Sequence, residues 1–382
     1  MKVKITNYII SFIFIIYYYF SIATSYSLIV VNKGGWFLGE WLINYQDGGF
    51  KRRGLFGSLF IFINEITNIN LEYIVFAFLF ILYSLFFYLF IKLFWKEKNN
   101  LLVIALILLP AGFGMMVKHP EIASKKEALF FLLYLLYFLS LRSKVIIKDY
   151  VITLFILIAI LTHEMAFFYL PFVSFTYFVK NDRPSIDKIK KIFFYQFLPA
   201  TAAMMILYKF GVNITTVNTV QFFKNHGLVF KELGIFEYNP NYNVLDYYKS
   251  HSYSYQMYVI SIFLGSFTFY IYCKFNQVKI STIFLAIQVI FLLPLFYIAV
   301  DWGRWVNIFF SLLTIFMIGE QKLVLTRKQE IITIIIIFFN LWWKMLLRTE
   351  GFLTFTIFDN FLKQTYYFIF YNLKNIFNLF FF

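Results

Sequence analysis

Apolar runs of about 20 residues, the length of a helix that crosses a bilayer, alternate with short polar junctions along the whole chain. Most junctions are basic. The runs lack the two-residue alternation of a transmembrane β-barrel strand. The pattern predicts an all-α, polytopic integral membrane protein with about 11 or 12 transmembrane helices. No repeat or linker divides residues 1–382, so a single membrane domain is expected. The first run, Tyr8 to Val31, follows Lys2 and Lys4 and is too long for the apolar core of a secretory signal; it reads as a retained anchor. Lysines ahead of a first span favour a cytoplasmic N-terminus, which sends the loop over residues 32–70 to the external side.

Within that loop Leu55, Phe56, Leu59, Phe60, Ile63 and Ile66 recur at helical spacing, interrupted by Ser58, Asn64 and Glu65. This predicts an interfacial amphipathic helix over residues 55–67, after the first span. Further spans are expected at Tyr73 to Trp95, Leu101 to Val117 and Ala128 to Leu141. The apolar block Tyr150 to Val179 carries His163-Glu164 near its middle. One long span would bury both groups in hydrocarbon, whereas two short helices meeting at Leu161 to Glu164 put them at the outer face. The pair is the better reading, because Lys180, Arg183, Lys188, Lys190 and Lys191 then fall inside. Spans follow at Ile192 to Tyr208, Tyr255 to Tyr272, Ile280 to Val300, Val306 to Ile318 and Ile331 to Leu347. Residues 209–254 form the longest polar stretch and suit an external cap or lid. Residues 351–382 read as an amphipathic tail on the outer leaflet, or as a last span weakened by Lys363 and Lys374.

Composition agrees. The chain is 61% hydrophobic, 24% aromatic and 14% charged, with a mean hydropathy of +0.74, which excludes a soluble globule with an ordinary charged surface. The net charge of +15 fits loops beside anionic lipid and sites for anionic substrates. No nucleic-acid-binding module accompanies it, and no nucleic-acid partner is expected. The single cysteine, Cys273, excludes an internal disulfide framework and a cysteine metal cluster.

Candidate chemistry clusters on the side predicted to be external. Gln46 to Gly54 is a charged, glycine-rich island between apolar segments. There Asp47 could accept a proton while Lys51, Arg52 and Arg53 bind a phosphate or pyrophosphate, with Gly48 and Gly49 permitting close backbone approach. The plain alternative is a turn whose cations meet lipid head groups. Asp301 and Arg304, three apart, could pair on one helical turn with Trp302 and Trp305 as interfacial anchors, or serve a substrate at the wet end of a span. His163 and Glu164 could supply a base or a substrate hydrogen bond; a structural histidine is the alternative. HExxH is absent, which argues against zinc there. Lys118, His119, Lys125 and Lys126 could extend the anion site or belong to a solvated interfacial loop.

This layout resembles the GT-C type of membrane glycosyltransferase and the related bacterial O-antigen and capsule polymerases. The likeness is a first span, an external loop holding an acidic residue before an interfacial helix, and then many spans with substrate loops outside. Asp47 matches the acidic position, and Arg52, Arg53 and Arg304 resemble arginines placed near a lipid-linked pyrophosphate. The chain departs from the pattern in having no Asp-X-Asp triplet in the first loop and no large soluble C-terminal domain. The resemblance implies a glycosyltransferase using polyprenyl-linked sugars at the external face of the bacterial inner membrane, in first place a repeat-unit polymerase. A GT-C enzyme transferring a single sugar from a polyprenyl-phosphate donor is one alternative. A transporter or flippase of lipid-linked oligosaccharide is another, though it should carry ionisable residues at mid-membrane and matching halves. The implied partners are a polyprenyl-(pyro)phosphate-linked saccharide, the lipid bilayer and other envelope-polysaccharide assembly proteins. No cofactor and no metal site is assigned, and a divalent metal is left open. Asp47 leads as base by position; His163 leads by its ordinary pKa near neutrality.

Overall fold

A computed structural model describes residues 2–96, 100–142, 148–180, 185–211, 214–216, 218–237, 244–278, 280–318 and 325–345. The tail expected at 351–382 lies outside them. The described residues are helical with no strand; one isolated parallel bridge joins Gly34 to Glu232. The chain is a membrane-embedded, all-α protein. Among the described residues four helices are long and apolar enough to cross a bilayer unaided: Ile5–Val31, Leu71–Trp95, Ile186–Phe210 and Ser252–Asn276. Shorter apolar helices, among them Asp149–Thr162, Thr282–Ile298 and Trp302–Ile318, accompany them.

The first helix, α1 (Lys2–Ser25), runs on through a π-helical segment at Tyr26–Val31. It packs along α4 (Leu71–Lys96), where Phe14 meets the rings of Phe87, Phe90 and Phe94. Between them lie α2 (Glu40–Leu42) and α3 (Leu55–Thr67), the latter on the residues predicted for the interfacial helix. Its buried side carries Gly57, Phe60 and Ile61, while Leu59, Phe62 and Ile66 are exposed. An apolar outer side is what a helix lying against lipid would present.

The expected span Leu101 to Val117 is corrected to two helices, α5 (Leu101–Ile107) and α6 (Met115–Lys118), separated by turns. Asn100 caps the start by accepting from the Leu102 N–H. The break follows from Pro110, which has no N–H to donate, and from Gly112 and Gly114 beside it. Backbone freed by the break is satisfied from other helices: Asn307 donates to the Gly112 carbonyl at 2.7 Å and Asn340 to that of Ala105 at 2.9 Å.

Next come α7 (Glu127–Arg142) and α8 (Asp149–Thr162). After α8, His163 takes an extended conformation with φ −156°, a 3₁₀ turn covers Glu164–Tyr169, and α9 (Leu170–Lys180) leads away. The block Tyr150 to Val179 is thus a pair of short helices joined at His163-Glu164. Ser185, Ser281 and Thr326 cap the helices α10 (Ile186–Ile192), α15 (Thr282–Ile298) and α17 (Arg327–Trp342), as short hydroxyl or amide side chains do at N-termini. The remaining elements are α11 (Leu198–Phe210), α12 (Thr219–Asn225), α13 (Val244–Ser250), α14 (Ser252–Asn276) and α16 (Trp302–Ile318).

The described residues between Gly211 and Glu237, within the long polar region, fold back over the first loop. The Gly35 N–H donates to the Glu232 carbonyl at 2.9 Å, and the Arg52 N–H to that of Gly211 at 3.1 Å. Glycine is required at 35, because a Cβ there would lie 2.0 Å from the Leu233 carbonyl oxygen. Within this strap the rings of Phe223, Phe230 and Phe236 pack edge-on and tilted against one another.

Candidate functional site

Four separate segments converge beneath the strap: the first loop, residues 125–127 at the start of α7, the α8–α9 junction and the start of α16. Helix starts and ends supply most of the charges, because there a side chain can leave the apolar wall without breaking a helix. The hub is Glu40 in α2, 2% exposed. Its Oε2 accepts from Lys125 Nζ at 2.9 Å. Its Oε1 lies 3.5 Å from Arg304 Nη2, 3.7 Å from Arg53 Nη1 and 3.9 Å from His163 Nε2, and it has no hydrogen-bond partner. Burial pushes the Glu40 carboxyl upward, but Lys125, Arg304 and Arg53 outweigh it and hold the group well below the usual carboxylate range.

Each arginine is aimed by a second carboxylate. Arg53 donates from Nε and Nη2 to the two Glu164 oxygens at 2.8 and 2.6 Å, a bidentate pair. Arg304 donates from Nε to Glu127 Oε1 at 2.5 Å and from Nη1 to Asp301 Oδ2 at 3.2 Å. Its Nη2 lies 2.5 Å from the same Glu127 oxygen without the alignment of a hydrogen bond. Arg52 is the exposed member, its guanidinium 3.7 Å from Glu164. Burial would raise the Glu164 carboxyl; the Arg53 guanidinium, by its charge and its hydrogen bonds, brings it well below its ordinary range.

His163 accepts from the Met165 N–H through Nδ1 at 3.3 Å. In the neutral ring Nε2 then carries the proton, and that N–H is the unpartnered atom facing Glu40. Burial, with Arg53 adding to it, keeps the imidazole pKa well below 6.5. So held, His163 is a hydrogen-bond donor. Glu40 Oε1, Arg304 Nη2, Arg53 Nη1 and His163 Nε2 therefore share one focus, where three donors surround a carboxylate oxygen.

The predicted candidates separate into three groups. Arg53, His163, Glu164, Asp301 and Arg304 come together at this focus, with Arg52 at its rim. Asp47 and Lys51 sit beside it as a tie. Lys51 Nζ donates to Asp47 Oδ2 at 2.9 Å, Thr216 donates to Oδ1 at 2.6 Å, and Thr219 donates to Oδ2 at 2.5 Å. Both oxygens are thus occupied, and burial is outweighed by these bonds, so the carboxyl lies below its ordinary value. Lys118 and His119 are directed elsewhere. Lys118 donates to the carbonyls of Asn340, Leu341 and Trp343, and His119 Nε2 contacts that of Met345 at 2.8 Å, so the pair closes the C-terminal end of α17.

Sequence reasoning missed Glu40 and Glu127. Glu40 lies in Gly35-Trp36-Phe37-Leu38-Gly39-Glu40-Trp41-Leu42, where it is the lone charge in an apolar stretch. That isolation was the available signal, since a lone carboxylate among apolar neighbours needs buried cations. Among the described residues no group of three or more His, Cys, Asp or Glu side chains could hold a metal ion. No family model, curated protein or solved structure matches this chain.

Proposed function

We propose that this chain is a membrane glycosyltransferase acting on polyprenyl-linked sugars at the external face of a bacterial inner membrane, with its N-terminus cytoplasmic, and that it polymerises repeat units. The observation that carries the reading is the focus at Glu40 Oε1, where Arg53, Arg304 and His163 direct donors at one buried point. In glycosyl transfer from such a donor the acceptor oxygen bonds to the anomeric carbon as the carbon–oxygen bond to the phosphate breaks. The electron pair leaves with the phosphate, and the acceptor proton needs a base. Arg53, Arg304 and the rim cation Arg52 suit the departing charge. Glu40 suits the proton, because its Oε1 is unpartnered where the oxygens of Asp47 and Glu164 are already engaged. A carboxylate held ionised is a weak base. It need only take the proton once the attacking oxygen has become positive, which the oxocarbenium character of glycosyl transfer permits.

Expression of Glu40→Gln, Arg53→Gln and Arg304→Gln in the native host, with surface glycan resolved by length on a gel, tests this reading. Loss of long chains with one repeat unit retained is the expected result. Loss of that unit too would point to a single-sugar transferase, and wild-type ladders from all three would refute the assignment.

A further inference from the structure

Lys126 is 1% exposed, one residue before α7, and the mechanism above gives it no task. Its ammonium donates to the backbone carbonyl of Arg53 at 3.0 Å and lies 5.7 Å from the Trp41 ring centre. Arg53 is one of four non-glycine residues with positive φ among those described, at +65°. An L side chain adopts that left-handed region at a cost of order 1 kcal/mol or more, so something must hold it there. On the N-terminal side the Arg52 N–H is fixed to Gly211, and at the far end of the side chain Glu164 takes the guanidinium. The remaining backbone tie is Lys126.

We infer that Lys126 is a positioning residue, which locks the left-handed backbone of Arg53 and so aims the guanidinium at the shared focus with Glu40. The role rests on the glycosyltransferase reading for its purpose, but the lock itself does not. The charged groups facing Lys126 are Arg53 and Glu40 from the first loop, Glu164 from the α8–α9 junction and Glu127 from α7. Burial, with Arg53, takes its ammonium down to about 7 against the pull of Glu40. The amine can therefore donate to a carbonyl without adding a full charge to a site already rich in cations. An arginine in its place could not do so.

The test uses the full-length protein in detergent, with two measurements. Hydrogen–deuterium exchange read by mass spectrometry should be at least about threefold faster over residues 50–56 in Lys126→Met than in wild type, with protection of α4 and α14 unchanged. Binding of undecaprenyl phosphate should weaken about tenfold in Lys126→Met and in Arg53→Gln, while the double variant binds no more weakly than Arg53→Gln alone. Lys126→Gln, which keeps a donor, should recover part of the loss and guards against a merely unfolded Met variant. Unchanged exchange over residues 50–56, or a double variant weaker than Arg53→Gln, would overturn the assignment. Should wild type not bind undecaprenyl phosphate at all, the glycosyltransferase reading fails, and the exchange experiment still decides on the lock.

Discussion

Asp47 and Glu40 are both buried acids of the first loop, yet their surroundings assign them opposite tasks. Asp47 accepts three hydrogen bonds, two of which, from Thr216 and Thr219, tie the loop to the strap, whereas Glu40 keeps one oxygen without a partner among three donors. Asp47→Asn should leave Lys51, 2% exposed, without its counter-charge. Breaking such a pair costs about 3–5 kcal/mol, so a drop in melting temperature is expected, with turnover per folded molecule largely kept. Glu40→Gln should lower turnover per folded molecule by roughly 10²–10⁴, the range lost with a general base. A purified Asp47→Asn protein that melts like wild type but has lost turnover would reverse the two roles.

At the scale of elements, the helix over 55–67 and the helix pair meeting at His163-Glu164 were legible because hydrophobic period and the cost of buried charge both act locally. The break in the span expected at Leu101 to Val117 was not, although Pro110 marks it, because its energetic support comes from Asn307 and Asn340, some 200 residues away in sequence. The site was legible in the same partial way. Arg53, Glu164 and Arg304 stood out as charges beside spans, but which carboxylate each arginine meets is set by how α7, α8 and α16 pack. The strap over the first loop was expected only as a polar stretch long enough for a cap. Its seat is the backbone contact at Gly35, where Gly35→Ala puts a methyl 2.0 Å from the Leu233 carbonyl oxygen. Overpacking of this kind costs about 1–3 kcal/mol. The expected result is faster limited proteolysis within residues 214–237, with α1 and α4 still resistant. Unaltered cleavage there would mean the strap is not seated through this contact.

For the molecule as a whole, stability should depend on pH through two lysines, Lys126 buried and Lys118 half-buried. Burial lowers Lys126 and Lys118 to about 7 each, with Arg53 adding to the effect on the first and Lys344 on the second, against an ordinary value of 10.5. Both folded values lie below the unfolded one, so above about pH 7 the unfolded chain binds more protons than the folded one. Stability then rises with pH by up to about 1.4 kcal/mol per unit for each group. Below about pH 7 both states hold the protons and this contribution is flat. Carboxylates act in a separate window: Asp47, Glu40 and Glu164 sit below their ordinary values, so their contribution is lost only as pH falls through those lowered values. The melting temperature in detergent, followed by tryptophan fluorescence, should therefore climb between about pH 7 and 8, a range kept below the ordinary titration of tyrosine and cysteine. Lys126→Met and Lys118→Met should each remove roughly half of the slope, since neither variant has an amine to titrate, and the double variant should be nearly flat. A wild-type profile that falls over this range, or a slope indifferent to both substitutions, would mean that these amines are not buried near neutral pH as the contacts with Arg53 and α17 require.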